Sequence, residues 1–151
     1  MRLLSGVAVA VILGGCGGAH PRNADGRADT TAAQSVPGPA VFAGAWQVRS
    51  VRQGGDSVVG FKLTATPDTV GWTLQFPGRA PIPLRVVARG GDSVSTEAEP
   101  YESVLRPGVR VRTSSTFHLR LGRLVGTTVA RYSVVGPDSV LRLRNTGVRL
   151  R

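Results

Sequence analysis

Cysteine, histidine, acidic side chains and long apolar runs are all scarce in this chain, and each scarcity excludes something. Cys16 is the only cysteine among 151 residues. That rules out an internal disulfide and a cysteine-based metal cluster, and its place near the N-terminus argues against a catalytic thiol. The longest apolar stretch, Leu3 to Leu13, is interrupted by Ser5 and Gly6. It falls short of the ~20 apolar residues that a membrane-spanning helix needs. No window carries a helical 3.6-residue period, so an α-helical bundle is excluded. No glycine loop leads into a helix to cradle phosphate, and there is no nucleophile elbow. Acids are outnumbered, 9 against 19 basic residues, for a formal net charge of +10. Lys62 is the one lysine, and every other basic residue is arginine. Nucleic acid is the usual partner of such charge. The N-terminus makes that partner unsuitable, because it reads as an export signal.

Met1-Arg2 supplies a positive charge ahead of the apolar stretch, and Gly14-Gly15 precedes Cys16. A short charged region, an apolar region and small residues before a cut site make a signal peptide over residues 1–15. Leu13-Gly14-Gly15-Cys16 resembles the lipobox of bacterial lipoproteins. The resemblance implies that Cys16 is acylated and becomes the new N-terminus, so that the protein is anchored in a membrane of the cell envelope. Each buried acyl methylene contributes ~0.8 kcal/mol, so two or three chains hold firmly. Gly17 follows the cysteine with no acidic residue, which in those lipoproteins favours the outer membrane, facing the periplasm or the surface. Residues 16–40 are rich in Gly, Ala, Pro, Thr, Asp and Asn without apolar period and read as a flexible tether. His20 lies in it as spacer.

From residue 41 to 151 the pattern is β. Val109-Arg110-Val111-Arg112, His118-Leu119-Arg120-Leu121 and Leu141-Arg142-Leu143-Arg144 alternate aliphatic and charged residues at period two, placing arginines on one face. Turns recur as Gly54-Gly55-Asp56-Ser57-Val58, Pro67-Asp68-Thr69-Val70, Gly90-Gly91-Asp92-Ser93-Val94 and Gly136-Pro137-Asp138-Ser139-Val140. Glycine and proline shape the bend and the aspartate bonds to backbone N–H groups, a use that fits one carboxylate per turn better than Ca²⁺ ligation does. Leu121-Gly122-Arg123-Leu124 reads as a two-residue hairpin with a type II′ turn. Strands are expected near 41–52, 58–65, 70–76, 82–89, 93–99, 109–121, 124–134 and 140–146, with a ninth if the sixth breaks at Ser114-Ser115. An antiparallel up-and-down meander of eight or nine strands protects its edges by closing into a small barrel. A β-sandwich is the alternative.

Gly44-Ala45-Trp46 resembles the Gly-x-Trp signature that opens the first strand of lipocalins and other calycins, and Leu124-Val125-Gly126-Thr127 is similar to a rhythm of small lipocalin-like barrels. The resemblance implies that Trp46 closes one barrel end under an arginine of the last strand, a role for Arg142 or Arg144. With Cys16 and the meander, it suggests a barrel that binds a small apolar or amphiphilic ligand; the aromatics are spread along the strands, and Trp72, Phe76 and Tyr132 are candidate lining for an apolar pocket. Core packing is the competing use of these aromatics.

For catalysis, Glu97 and Glu99 share a strand face with Cβ atoms about 6.5–7 Å apart, a distance at which paired carboxylates hydrolyse glycosides. Ion pairing with neighbouring arginines is the simpler use. His118, expected on the arginine face, has no orienting partner in sequence, as a general base requires. The sequence therefore predicts a non-enzymatic envelope barrel without metal or cofactor. Its partners are expected to be the membrane through Cys16 and a small apolar ligand. The alternative is an interaction, inhibitor or structural lipoprotein, its arginine face meeting anionic lipid, glycolipid or a protein.

Overall fold

The computed structural model describes residues 38–56 and 58–151; Cys16, the leader and most of the tether lie outside them. Eight antiparallel strands follow one another: β1 Gly44–Arg52, β2 Val58–Ala65, β3 Trp72–Gln75, β4 Ile82–Gly90, β5 Ser93–Glu102, β6 Arg110–Arg120, β7 Arg123–Tyr132 and β8 Val140–Arg149. Each pairs with the next, and β1 pairs with β8 to close the barrel. Closure gives every strand two neighbours.

The period-two pattern does what it predicted. In β8 burial alternates through Leu141, Leu143, Asn145 and Gly147, with Arg142 and Arg144 outside. β6 runs unbroken through Ser114-Ser115 because both residues keep their register with β5 and β7. β5 continues past Pro100 by shifting register between Ala98 and Tyr101, since a bulge absorbs a residue that cannot donate to the ladder. The turn after β6 is centred on Leu121 and Gly122, with φ of 49° and 73°. Positive φ at both positions makes it type I′ rather than II′, the turn whose twist also suits a hairpin.

One end of the barrel, where β1 begins and β8 ends, is sealed by the chain's own entry segment. Val41 and Phe42, expected in the first strand, instead belong to a 3₁₀ turn at Pro39–Phe42. Proline at its start fits, because its fixed φ suits a helical turn. The turn drops Phe42 into the core beside Trp46, Val48, Leu63, Trp72, Phe117 and Leu124. The Gly126 Cα presses against the backbone of Thr116, so a Cβ there would overlap the Thr116 carbonyl oxygen. This is the physical reason for glycine within Leu124-Val125-Gly126-Thr127.

Candidate functional site

The sealed end is held by Arg149. Its guanidinium lies 4.3 Å above the centroid of the Trp46 ring, a cation–π stack. Nη2 donates to the Val41 carbonyl at 3.0 Å and Nη1 donates to that of Ala43. Trp46 Nε1 donates to the Phe42 carbonyl at 2.7 Å. Gly44 has φ of 126°, and a Cβ there would lie 2.6 Å from Arg149 Nη1. The first residue of Gly44-Ala45-Trp46 is therefore glycine for two local reasons. The arginine over Trp46 is Arg149, not Arg142 or Arg144. Those two have the parity of the outer face, and β8 runs three residues beyond its expected end to deliver Arg149.

The interior is nearly full. A cavity of about 50 Å³ remains toward the other end, bordered by Phe61, Phe76, Tyr101 and Tyr132. Trp72 is not on it; that ring packs against Phe42 at a centroid distance of 6.2 Å and donates its Nε1–H to the Asp68 carbonyl. Phe76 stands between Phe61 and Tyr101, 5.9 Å from each, and these rings take up the space of a lipocalin-style cup. Below them runs a buried polar chain. Ser50 Oγ donates to Asn145 Oδ1 at 2.5 Å, Asn145 Nδ2 donates to Thr128 Oγ1 at 2.8 Å, and Ser115 Oγ lies 2.7 Å from Thr128 Oγ1. Burial pushes the Tyr101 hydroxyl up from its ordinary value, opposed by its hydrogen bond with Thr113. Small-molecule sites usually span ~300–1,000 Å³. This cavity is several times too small and suits a few waters on its hydroxyl floor.

The loop between β5 and β6 covers the cavity. Ser103 Oγ accepts the backbone N–H groups of Leu105 and Arg106 at 3.1 Å each. Arg106 lies 4.3 Å from the centroid of Tyr132 and donates to the Asp138 carbonyl at 2.8 Å.

Of the two acidic candidates, Glu97 is paired, and Glu99 has no ion pair among the described residues. Glu97 pairs with Arg85 at 2.6 Å, both well exposed. Glu99 is exposed next to the β5 bulge. His118 stands on the outer face with Nδ1 3.7 Å from Asp92 Oδ1, and Arg120 also binds Asp92. Asp68 does turn work: its carboxylate accepts the Val70 N–H and the Thr66 hydroxyl, which hold its pKa below the usual value.

The outer wall of β6, β7, β8 and β1 is different. Arg112 faces Arg131 directly across the β6–β7 ladder. Arg131 is opposite Val140, one outward step from Arg142. Arg144 is the next outward residue of β8 and faces Val51 of β1, and Arg49 faces Thr146. Cross-strand neighbours of this kind stand about 4.5–8 Å apart at Cβ. Arg112, Arg131, Arg142, Arg144 and Arg49 thus form one continuous stripe. Among the described residues, none of them is within salt-bridge distance of an acid. Like charges directly opposite destabilise a sheet, so the stripe is a cost to the free fold.

Sequence reasoning missed Arg149 and Arg106. Both have a signal in hindsight: Arg149 shares the inward parity of Leu141 and Leu143, and Arg106 precedes the Pro107-Gly108 bend. Comparison with known proteins finds no matching family model, no matching curated protein and no matching solved structure.

Proposed function

We propose that this chain is a non-enzymatic barrel, tethered in the cell envelope through acylated Cys16, that presents its arginine stripe to an anionic amphiphilic surface. The observation that carries the reading is the continuity of Arg112, Arg131, Arg142, Arg144 and Arg49 without an acidic neighbour among the described residues. Repulsion within the stripe is relieved when anions cover it. Near an anionic leaflet each basic side chain contributes ~1 kcal/mol. Arginine also grips phosphate bidentately. The tether hypothesis complements this, because an acyl anchor keeps the stripe close to lipid headgroups. A ligand wholly inside the barrel fits less well, given a cavity of about 50 Å³.

The test uses the full-length chain with Cys16→Ser, which cannot be acylated, and vesicles of phosphatidylglycerol or phosphatidylcholine. Preferential retention on the anionic vesicles is expected. It should fade between roughly 0.1 M and roughly 1 M salt, as the Debye length falls from about 10 to about 3 Å. Replacing Arg112, Arg131 and Arg142 together by glutamine should weaken retention about 100-fold, from ~1 kcal/mol each. Unchanged retention by that triple variant overturns the reading.

A further inference from the structure

Recesses large enough for a ligand lie outside the barrel, and the more apolar of them adjoins the arginine stripe. A groove of about 540 Å³ crosses the outer wall of β2, β1, β8 and β7 next to the arginine stripe. Its apolar part is formed by Val58, Val125 and Val148, with Gly60 leaving space where a side chain would stand. Val58 and Val148 are 45% and 47% exposed. Arg123 stands at the β7 edge of the groove and Arg49 rises within it, between Gly60 and Thr146; among the described residues no carboxylate lines it.

The ladder registers explain the shape. Arg49 faces Gly60 on one side and Thr146 on the other, and Thr146 faces Val125. The row thus holds a glycine and two short β-branched side chains around a single arginine. From β2 to β7 are three strand spacings, on the order of 14 Å. An extended hydrocarbon chain of about a dozen carbons matches that span. Apolar valines, two arginines and, among the described residues, no acid together point to an anionic amphiphile.

We propose that this groove holds the acyl chain of one anionic lipid, with Arg49 and Arg123 taking its phosphate. The inference rests on the anionic-surface reading and deepens it, from adsorption by charge to capture of a single molecule. Adsorption alone is multivalent and leaves the valines idle. Capture is saturable at one molecule per chain and uses both.

The test is calorimetric titration of the full-length Cys16→Ser chain with lauroyl lysophosphatidylglycerol below its critical micelle concentration, alongside uncharged dodecyl maltoside. One saturable site for the anionic lipid is expected, with at least tenfold weaker binding of the maltoside. Val58→Ser with Val148→Ser should weaken the site about tenfold, and so should Arg123→Gln; these residues lie on the surface, away from the core. The valine variant should leave vesicle retention within about twofold, because every arginine is untouched, and Arg123→Gln should weaken it by no more than about fivefold, from ~1 kcal/mol. Methyl NMR shifts should appear at Val125 and Val148 and not at the cavity residue Leu143. Retention on vesicles without a saturable site overturns the groove and spares the stripe. Loss of both overturns both. Shifts at Leu143 place the lipid inside the barrel and overturn the groove, and so does a lipid-free dimer abolished by Val148→Ser, which gives the groove to a second copy.

Discussion

Both ends of the barrel carry an arginine over an aromatic ring at 4.3 Å, Arg149 over Trp46 and Arg106 over Tyr132, yet the two ends are built differently. At the sealed end the ring is fully buried and its N–H is bonded. The arginine there reaches two carbonyls of the entry segment, and packed aromatics lie beneath. At the other end the arginine joins two loops through one carbonyl at 2.8 Å and a carboxylate 4.0 Å away, and the cavity is nearby. The stack does not by itself make an end rigid. What lies under it does: a ring backed by close-packed neighbours has nowhere to move, and a ring beside a void has.

Truncating the two rings should separate the ends most. Trp46→Ala is expected to cost about 3–5 kcal/mol, because the hole it leaves is walled by residues that cannot close in. Tyr132→Ala should cost about 2–3 kcal/mol, since the site already adjoins a cavity and a loop that can settle. Urea unfolding of both variants measures the gap, and equal losses would remove the distinction. Truncating the arginines should show a smaller difference. Arg149→Ala is expected to cost about 1–2 kcal/mol and Arg106→Ala under about 1 kcal/mol, from exposed cation–π stacks and unequal hydrogen bonding. Arg149→Lys should recover little, because an ammonium does not reproduce the planar fork that meets two carbonyls and a ring.

The smallest effect is a pH dependence confined to the cavity end. Burial raises the Tyr101 pKa, so in the folded protein the neutral phenol persists above pH ~10, where the unfolded chain ionises. The folded state then holds more protons than the unfolded, and stability falls as pH rises. Tyr101's contribution is complete below pH ~10 and is lost as pH climbs through the raised folded value. The urea midpoint should therefore drop in that alkaline range, and Tyr101→Phe should flatten the drop. A drop of the same size in Tyr101→Phe would assign it elsewhere.

Much of the fold was legible because strands and hairpin turns are local. Leu141-Arg142-Leu143-Arg144 reads as one inward and one outward row from four residues, and the Asp-Ser/Thr-Val repeats mark where strands restart. The errors also have local causes. Val41 and Phe42 look like strand residues, but their burial is gained by folding over the barrel end. Gly147, Val148 and Arg149 look as if they lie beyond the end of β8, expected at 146. They are part of it because they keep register with Val48, Gln47 and Trp46 of β1, and Gly147 leaves room for Leu124 and Val48. Had the parity of β8 been carried three residues further, it would have pointed to Arg149.

The candidate site was legible only in its ingredients. Arginine on an outer face follows from alternation within each strand, and so does the choice of which aromatics turn inward. Whether Arg112, Arg131, Arg142, Arg144 and Arg49 meet depends on the register of four strands brought together from distant parts of the chain. Whether the barrel is hollow depends on how Phe61, Phe76 and Tyr101 stack across strands. The amino-acid order determined strand, turn and face, because those are set by side-chain period and backbone preference over a few residues. Tertiary structure alone decided the small interior, the arginine stripe and the groove, because volume and contiguity belong to closure and packing between strands and not to any one of them.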